Sequence, residues 1–377
     1  MSTLVVGVPS EIKDNENRVA MTPDGVVELV HAGHRVVVQA GAGEGSRFTD
    51  DEYTAAGAEL LPDADGVFAA ADLIVKVKEP VPAEYHRFRE GQQLFTYLHL
   101  AADRGLTEFL LERCISSIAY ETVQTADGKL PLLTPMSEVA GRMAVQAAAH
   151  HLESPSGGSG ILLGGVPGTP AGKVLIIGGG VSGTEAAKIA LGMRAMVRVL
   201  DTNPNRLAYL SDIFGGRLDL ITPNRARTAA YVAEADVVIG AVLVPGAKAP
   251  TLVTREMIAA MRPGSVVVDI AIDQGGCFET SRPTTHSDPT YVEEGVTHYC
   301  VANIPGAVAR TSTLALTSAT LPYLVKVARH GVVGAAAGDP ALRLGLSTLD
   351  GKLTNHPVAE AHGLPSTDAA ELLTAHP

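Results

Sequence analysis

The stretch Lys173-Val174-Leu175-Ile176-Ile177-Gly178-Gly179-Gly180-Val181-Ser182-Gly183 decides the fold. An apolar run of strand length leads directly into a G-x-G-x-x-G spacing that opens a helix at Val181, the order of a dinucleotide-binding βαβ unit. Glycines there let the backbone turn tightly and approach a pyrophosphate, whose charge then faces the free N–H groups of the helix start. Asp201 follows the next apolar run, Met196 to Leu200, 18 residues after Gly183. A carboxylate at that place accepts hydrogen bonds from the adenosine ribose hydroxyls and repels a 2′-phosphate, so NAD rather than NADP is the expected cofactor. Arg206 is a nearby base that works against this preference. The bland alternative is a glycine turn beside a solvated aspartate; strand, helix and acid in register weigh against it.

Working outward, the series continues through a helix near Pro204, an apolar run Val237 to Ile239, a helix from Thr254 and a run from Ser265 to Ile272. On the N-terminal side a second series reads Leu4 to Val8, a helix from Thr22-Pro23 to Gly33, Val36 to Val38, and a capping-box start at Thr49-Asp50-Asp51-Glu52. Further runs at Leu73 to Val77, Leu94 to Tyr97 and Ser117 to Tyr120 complete it, before a long Ala-rich helix from Ser137 to Leu152. Alternation of this kind predicts parallel sheets covered on both faces. A chain of 377 residues is too long for one ordinary core at roughly 100–200 residues per domain. We therefore expect an α/β protein of two doubly wound Rossmann-like domains. A nucleotide domain at 137–309 is inserted into a discontinuous substrate domain formed by 1–136 and 310–377. Ser154 to Gly160 is the most linker-like segment, and Thr311 to His330 reads as a long helix. Gly41 to Gly45 lacks the Lys-Ser/Thr ending of a P-loop and reads as a connection.

Composition narrows the function. Lys plus Arg number 29 against 41 Asp plus Glu, a net charge of −12, which repels a phosphate backbone and argues against nucleic acid. The longest apolar run, Val237 to Val244, falls short of the ~18 residues a membrane span needs, so no membrane association is expected. Three scattered cysteines, Cys114, Cys277 and Cys300, make neither a zinc knuckle nor a disulfide framework and fit a reducing cytosol.

Ligands in open α/β sheets lie outside the carboxyl ends of the strands. Arg18, Lys78 and His99 follow strand ends in the first series, and Asp273 does so in the second. Two cations, an imidazole and a carboxylate suit a small anionic substrate that exchanges a hydride and a proton. Each has a plainer reading: a strand-end charge for Lys78, a loop cation for Arg18, a core histidine for His99, a turn residue for Asp273. The pair His150-His151 reads as structural.

These residues stand in longer strings: Glu16-Asn17-Arg18-Val19-Ala20 with Thr22-Pro23, Val75-Lys76-Val77-Lys78-Glu79-Pro80, Thr96-Tyr97-Leu98-His99-Leu100, Ala119-Tyr120-Glu121-Thr122, Pro135 to Gly141, Gly240 to Pro250 and Asp269 to Gly276. In them the chain resembles the alanine dehydrogenases, NAD-dependent enzymes that interconvert L-alanine with pyruvate and ammonia. The resemblance implies that Arg18 and Lys78 bind the substrate carboxylate or keto oxygen and that His99 and Asp273 are the acid/base pair. It implies cofactor contacts from Ser137, Gly178, Gly180, Val181, Gly183, Asp201, Arg206, Val242, Leu243, Ile270, Ala271, Ile272, Asp273, Arg282, Val301, Ala302, Asn303 and Ile304, the last in place of the family's usual methionine. It further implies a divalent ion such as magnesium between Glu121 and His330, and a cytoplasmic homohexamer. Two other readings stay open: the soluble nucleotide-binding part of a proton-translocating transhydrogenase, and a non-catalytic NAD(H) sensor.

Overall fold

The computed structural model describes residues 4–242 and 249–374. The chain divides into two compact units, one made of the residues through Met136 together with those from Val308 onward, the other of Ser137–Ala307. Both are doubly wound α/β sheets, predominantly parallel.

In the first unit the strands are β1 (Val5–Val8), β2 (Arg35–Gln39), β3 (Glu59–Leu61), β4 (Leu73–Val75), β5 (Gln93–Thr96) and β6 (Ser116–Ala119). The second unit holds β7 (Lys173–Ile177), β8 (Met196–Leu200), β9 (Asp219–Ile221), β10 (Val237–Gly240), β11 (Val266–Asp269), β12 (Thr290–Glu293) and β13 (Val296–Tyr299). A hairpin of β14 (Leu346–Leu349) and β15 (Lys352–Leu353) returns to the first sheet. The sheet orders are β15-β14-β6-β5-β4-β1-β2-β3 and β12-β13-β11-β10-β7-β8-β9. The parallel strands change winding direction between β1 and β4 in the first sheet and between β7 and β10 in the second, which opens a crevice at the carboxyl ends there. Central strands read as unbroken apolar runs because both faces are covered. Ile74, Val75, Ile176, Ile239 and Val268 are all fully buried or within 1% of it.

Local chemistry sets the helix starts. Thr22 Oγ1 accepts the Gly25 amide at 3.3 Å ahead of Pro23, and Thr49 with Glu52 forms the expected capping box. Several expected boundaries shift. The run Leu73 to Val77 is strand only to Val75; beyond it the Glu11 carboxylate takes the Val77 amide at 2.6 Å and the Lys76 ammonium at 3.0 Å. Lys76 is fully buried and also pairs with Glu84 at 2.9 Å. The run from Ser265 to Ile272 is strand only to Asp269 and then a 3-10 turn, Ile270–Gln274. The long C-terminal helix covers Ala309–Gly338 with a non-helical Gly331 inside it, where Val332 donates to Gln93 Oε1 at 2.6 Å. Residues 154–160 are not a linker. They form a turn in the second unit, where a Cβ on Gly158 would lie 2.1 Å from the His151 carbonyl oxygen. Each sheet also carries an antiparallel edge, β12 on β13 and β14 on β6, which βαβ alternation does not foretell.

Candidate active site

The glycine turn of the second unit is built as a cradle. Gly178 sits at φ +100°, and a Cβ on Gly183 would fall 1.8 Å from the Gly178 carbonyl oxygen, so no side chain fits there. Around the missing Gly180 side chain there is nothing within 4 Å. That open space is what close approach of a phosphate requires, at the start of the Val181–Gly192 helix. Asp201, at the end of β8, receives the Gly179 amide on Oδ2 at 2.7 Å and the Asn203 amide on Oδ1 at 2.8 Å. Arg206 donates to the carbonyl oxygens of Gly179 and Gly180 and to Thr184 Oγ1. Its guanidinium therefore braces the loop from behind, and Thr184 is a brace that no sequence motif signals. Val181 is exposed at the helix start, as a ribose or base contact requires. A Cβ on Gly141 would lie 2.1 Å from the Ser182 carbonyl oxygen, so the helix bearing Ser137 packs directly on the cradle. The residues present fit a dinucleotide.

The other expected cofactor residues occupy the neighbouring strand ends. Val242 follows β10, and Leu243 lies outside the described residues. Ile270, Ala271 and Ile272 form the turn after β11, with Asp273 exposed on it. Val301, Ala302, Asn303 and Ile304 follow β13; Asn303 holds φ +75°, and its carbonyl oxygen contacts His286 Nε2 at 2.9 Å. Arg282 lies over the Tyr291 ring, 3.9 Å from its centre. Sequence reasoning missed Asp269. Its fully buried carboxylate takes the Ala271 amide at 3.0 Å, the Cys277 amide at 2.9 Å and the Ser281 hydroxyl at 2.6 Å, and so shapes the whole turn that presents Asp273. Burial raises its pKa, and those hydrogen bonds oppose the rise. An acid closing the run Val266-Val267-Val268 was the available signal.

In the first unit Arg18, Lys78 and His99 follow β1, β4 and β5, three adjacent parallel strands. The Arg18 guanidinium is 2% exposed and is held by Glu16 through Nε at 2.7 Å and Nη2 at 2.5 Å, with Met136 Sδ at 3.1 Å from Nη1. Burial disfavours its charge, but the bond and charge of Glu16 more than offset this and raise its pKa. Lys78 Nζ lies 4.0 Å from Glu79 Oε2, while Lys13 pairs with the other Glu79 oxygen. Burial pushes the Glu79 carboxyl up, and Lys78, His99 and Lys13 together pull it further down, to a net pKa below the ordinary range. His99 projects into solvent from a left-handed backbone (φ 48°, ψ 38°), a conformation that costs a non-glycine residue about 1–3 kcal/mol. The Tyr97 ring stacks near it at 5.8 Å between centres, and Tyr97 in turn hydrogen-bonds the Leu132 carbonyl at 2.6 Å. Burial raises the Tyr97 pKa, with the Arg18 charge opposing the rise. Arg18, Lys78 and His99 thus all lie beyond the carboxyl ends of three adjacent central strands of the first sheet.

The magnesium expected between Glu121 and His330 finds no support in the structure. Glu121 gives its carboxylate oxygens to the Leu98 and His99 amides, and His330 is exposed on the Ala309–Gly338 helix. No group of three or more His, Cys, Asp or Glu side chains that could hold a metal ion occurs among the described residues. No helix among them is long and apolar enough to cross a membrane.

A dinucleotide cradle in one doubly wound unit and a cation–imidazole group at the strand ends of the other define a two-domain nicotinamide-nucleotide oxidoreductase. Comparison with known proteins sharpens this. The family description "Alanine dehydrogenase/PNT, N-terminal domain" matches residues 7–140, and "Alanine dehydrogenase/PNT, C-terminal domain" matches residues 144–356. The chain is 58% identical over 371 residues to the alanine dehydrogenase of Methanococcus maripaludis, covering 98% of this chain and 100% of that one. It is 55% identical over 368 residues to that of Mycobacterium tuberculosis H37Rv, covering 98% and 99%. A solved L-alanine dehydrogenase superposes with a TM-score of 0.92 at 51% identity, over 96% of this chain and 99% of that one. The transhydrogenase from Sinorhizobium meliloti gives 0.79 at 28%, over 93% and 99%. The chain belongs to the alanine dehydrogenase/PNT family.

Proposed function

We propose that this oxidoreductase catalyses the NAD-dependent oxidative deamination of L-alanine to pyruvate and ammonia, and the reverse reductive amination. The observation that carries the reading is the placement of Arg18, Lys78 and His99 after three adjacent parallel strands. A transhydrogenase moves hydride between nucleotides and has no amino-acid carboxylate to hold, and a sensor needs no imidazole beside two cations. Sequence identity points the same way, at 51% to a solved L-alanine dehydrogenase against 28% to the transhydrogenase.

NAD, when bound at the glycine cradle, supplies the hydride acceptor. Arg18, braced by Glu16, binds the substrate carboxylate, and Lys78 sits at the keto oxygen or the carbon that bears the amine. His99 takes a proton from the water that adds to the imine and returns one as ammonia leaves, a task imidazole performs near neutrality. Asp273 orients the water and the amine. The homohexamer and the cytoplasmic location implied by the family resemblance complete the proposal, and sedimentation checks the first. The deciding assay follows NADH absorbance with NAD and a panel of amino acids. L-alanine should be the best substrate; NADH binding with no turnover on any amino acid would overturn the reading in favour of a sensor.

A further inference from the structure

The left-handed backbone at His99 needs a cause, because a strand-end histidine has no steric reason to adopt φ 48°. The cause is Glu121. β5 and β6 pair in parallel with Thr96 opposite Ala119, so Leu98 and Glu121 each stand two residues beyond the last pair. Beyond that point the ladder has ended, and the amides of Leu98 and His99 face the Glu121 side chain instead of a strand. The Leu98 amide donates to both carboxylate oxygens at 3.2 Å, and the His99 amide donates to Oε1 at 2.6 Å. The remaining contacts fix the ends of this arrangement. Leu98 and Leu100 are buried on either side of the exposed imidazole. The His99 carbonyl accepts the Ala102 amide at 2.9 Å, and Thr122 Oγ1 bonds the Ala119 carbonyl at 3.2 Å, which holds the Glu121 turn to β6.

We propose that Glu121 is the positioning residue for His99. Its carboxylate fixes the backbone turn from which the exposed imidazole projects. This rests on the alanine dehydrogenase reading for the chemistry His99 performs, but the hydrogen-bonded turn itself does not depend on it. A carboxylate suits the task because it only accepts, and two amide hydrogens point at it. Oε1 alone reaches both amides, so the carbonyl oxygen of a glutamine in the same rotamer keeps a bond to each; an alanine keeps none.

The test measures pyruvate amination by the full-length parent, Glu121→Gln, Glu121→Ala, His99→Ala and the His99→Ala/Glu121→Ala double variant, with NADH affinity followed separately. Parental turnover tests the alanine dehydrogenase reading alone. Given that turnover, Glu121→Ala should lose about 10- to 100-fold in kcat with NADH affinity unchanged, and Glu121→Gln should stay within about threefold of the parent. In the His99→Ala background Glu121→Ala should cost less than about threefold more, because a residue acting through His99 has nothing left to position. The proposal is overturned if Glu121→Ala keeps parental kcat or loses as much activity without His99 as with it. It is equally overturned if Glu121→Gln falls as far as alanine, including a loss that added magnesium chloride restores. Should Glu121→Ala fail to fold, the glutamine variant decides alone: more than a tenfold loss in kcat overturns the proposal.

Discussion

Asp201 Oδ2 accepts the Gly179 amide at 2.7 Å, so the acid expected to read the ribose also shapes the phosphate loop. Asp201→Ala should weaken NADH binding and, by removing the charge that repels a 2′-phosphate, let NADP gain relative ground. Charge-assisted hydrogen bonds are worth roughly 1.5–3 kcal/mol, so the ratio of kcat/KM values for the two cofactors should move by about tenfold or more. Arg206 is bonded to loop carbonyls and Thr184, and it is not expected to rescue NADP binding. Unchanged discrimination in steady-state kinetics would remove Asp201 from the ribose site.

Gly183→Ala would place a methyl carbon 1.8 Å from the Gly178 carbonyl oxygen. That neighbour is backbone and cannot turn aside, so the cradle itself must shift. The variant should fold with a lowered thermal midpoint and lose NADH affinity by more than tenfold, as read by NADH fluorescence titration. Gly180→Ala meets nothing within 4 Å and should leave the midpoint nearly unchanged while still weakening NADH, because its methyl group occupies the space left for the ligand. Equal midpoint losses in the two variants would contradict this division of roles.

Glu79 supplies a pH dependence. Its folded-state pKa is lowered: burial raises it, but Lys78 first and then His99 and Lys13 more than offset that. A depressed carboxyl contributes stability that is fully present above its unfolded pKa, about 4.3, and is lost as pH falls through the folded value. Glu79→Gln should therefore be less stable than the parent near neutrality, and the gap should close on acidification below about pH 4. Thermal midpoints of the two proteins across that range check it; a gap independent of pH would show that the charge contributes nothing.

The readable parts of this protein are those where chemistry is local in the chain. Lys173 to Gly183 declares strand, turn and helix in consecutive residues, and Lys78 and His99 each follow an apolar run closely enough to be placed at a strand end, while Arg18 is reached from its run through a polar loop. What stayed hidden depends on pairings between distant segments. Nothing near Glu121 says that it holds the His99 amide, because that follows from the register of Thr96 with Ala119. Short edges such as Glu59–Leu61 and Lys352–Leu353 carry too few residues for alternation to show. Asp269 reads as the end of a strand until the amides it gathers from Ala271 and Cys277 are seen.

His99 and Lys78 should separate in kinetics. His99→Ala removes a solvent-facing side chain of the first unit and leaves the glycine cradle intact, so NADH affinity should hold while kcat falls by roughly the 10²–10⁴ typical of lost acid/base catalysis. Lys78→Ala deletes a partly buried cation whose nearest carboxylate oxygen, on Glu79, is 4.0 Å away. In the proposed mechanism it also holds the substrate, so KM for pyruvate should rise, with a further fall in kcat where the ammonium polarises the keto or imine carbon. Lys78→Arg should not restore it, since a planar fork on a longer stem cannot replace a compact charge in that space. If both alanine variants bound NADH normally and kept near-parental turnover and pyruvate saturation, the cation–imidazole group would have no part in the reaction. The glycine cradle alone would then support only nucleotide binding, and the sensor reading would replace the enzyme.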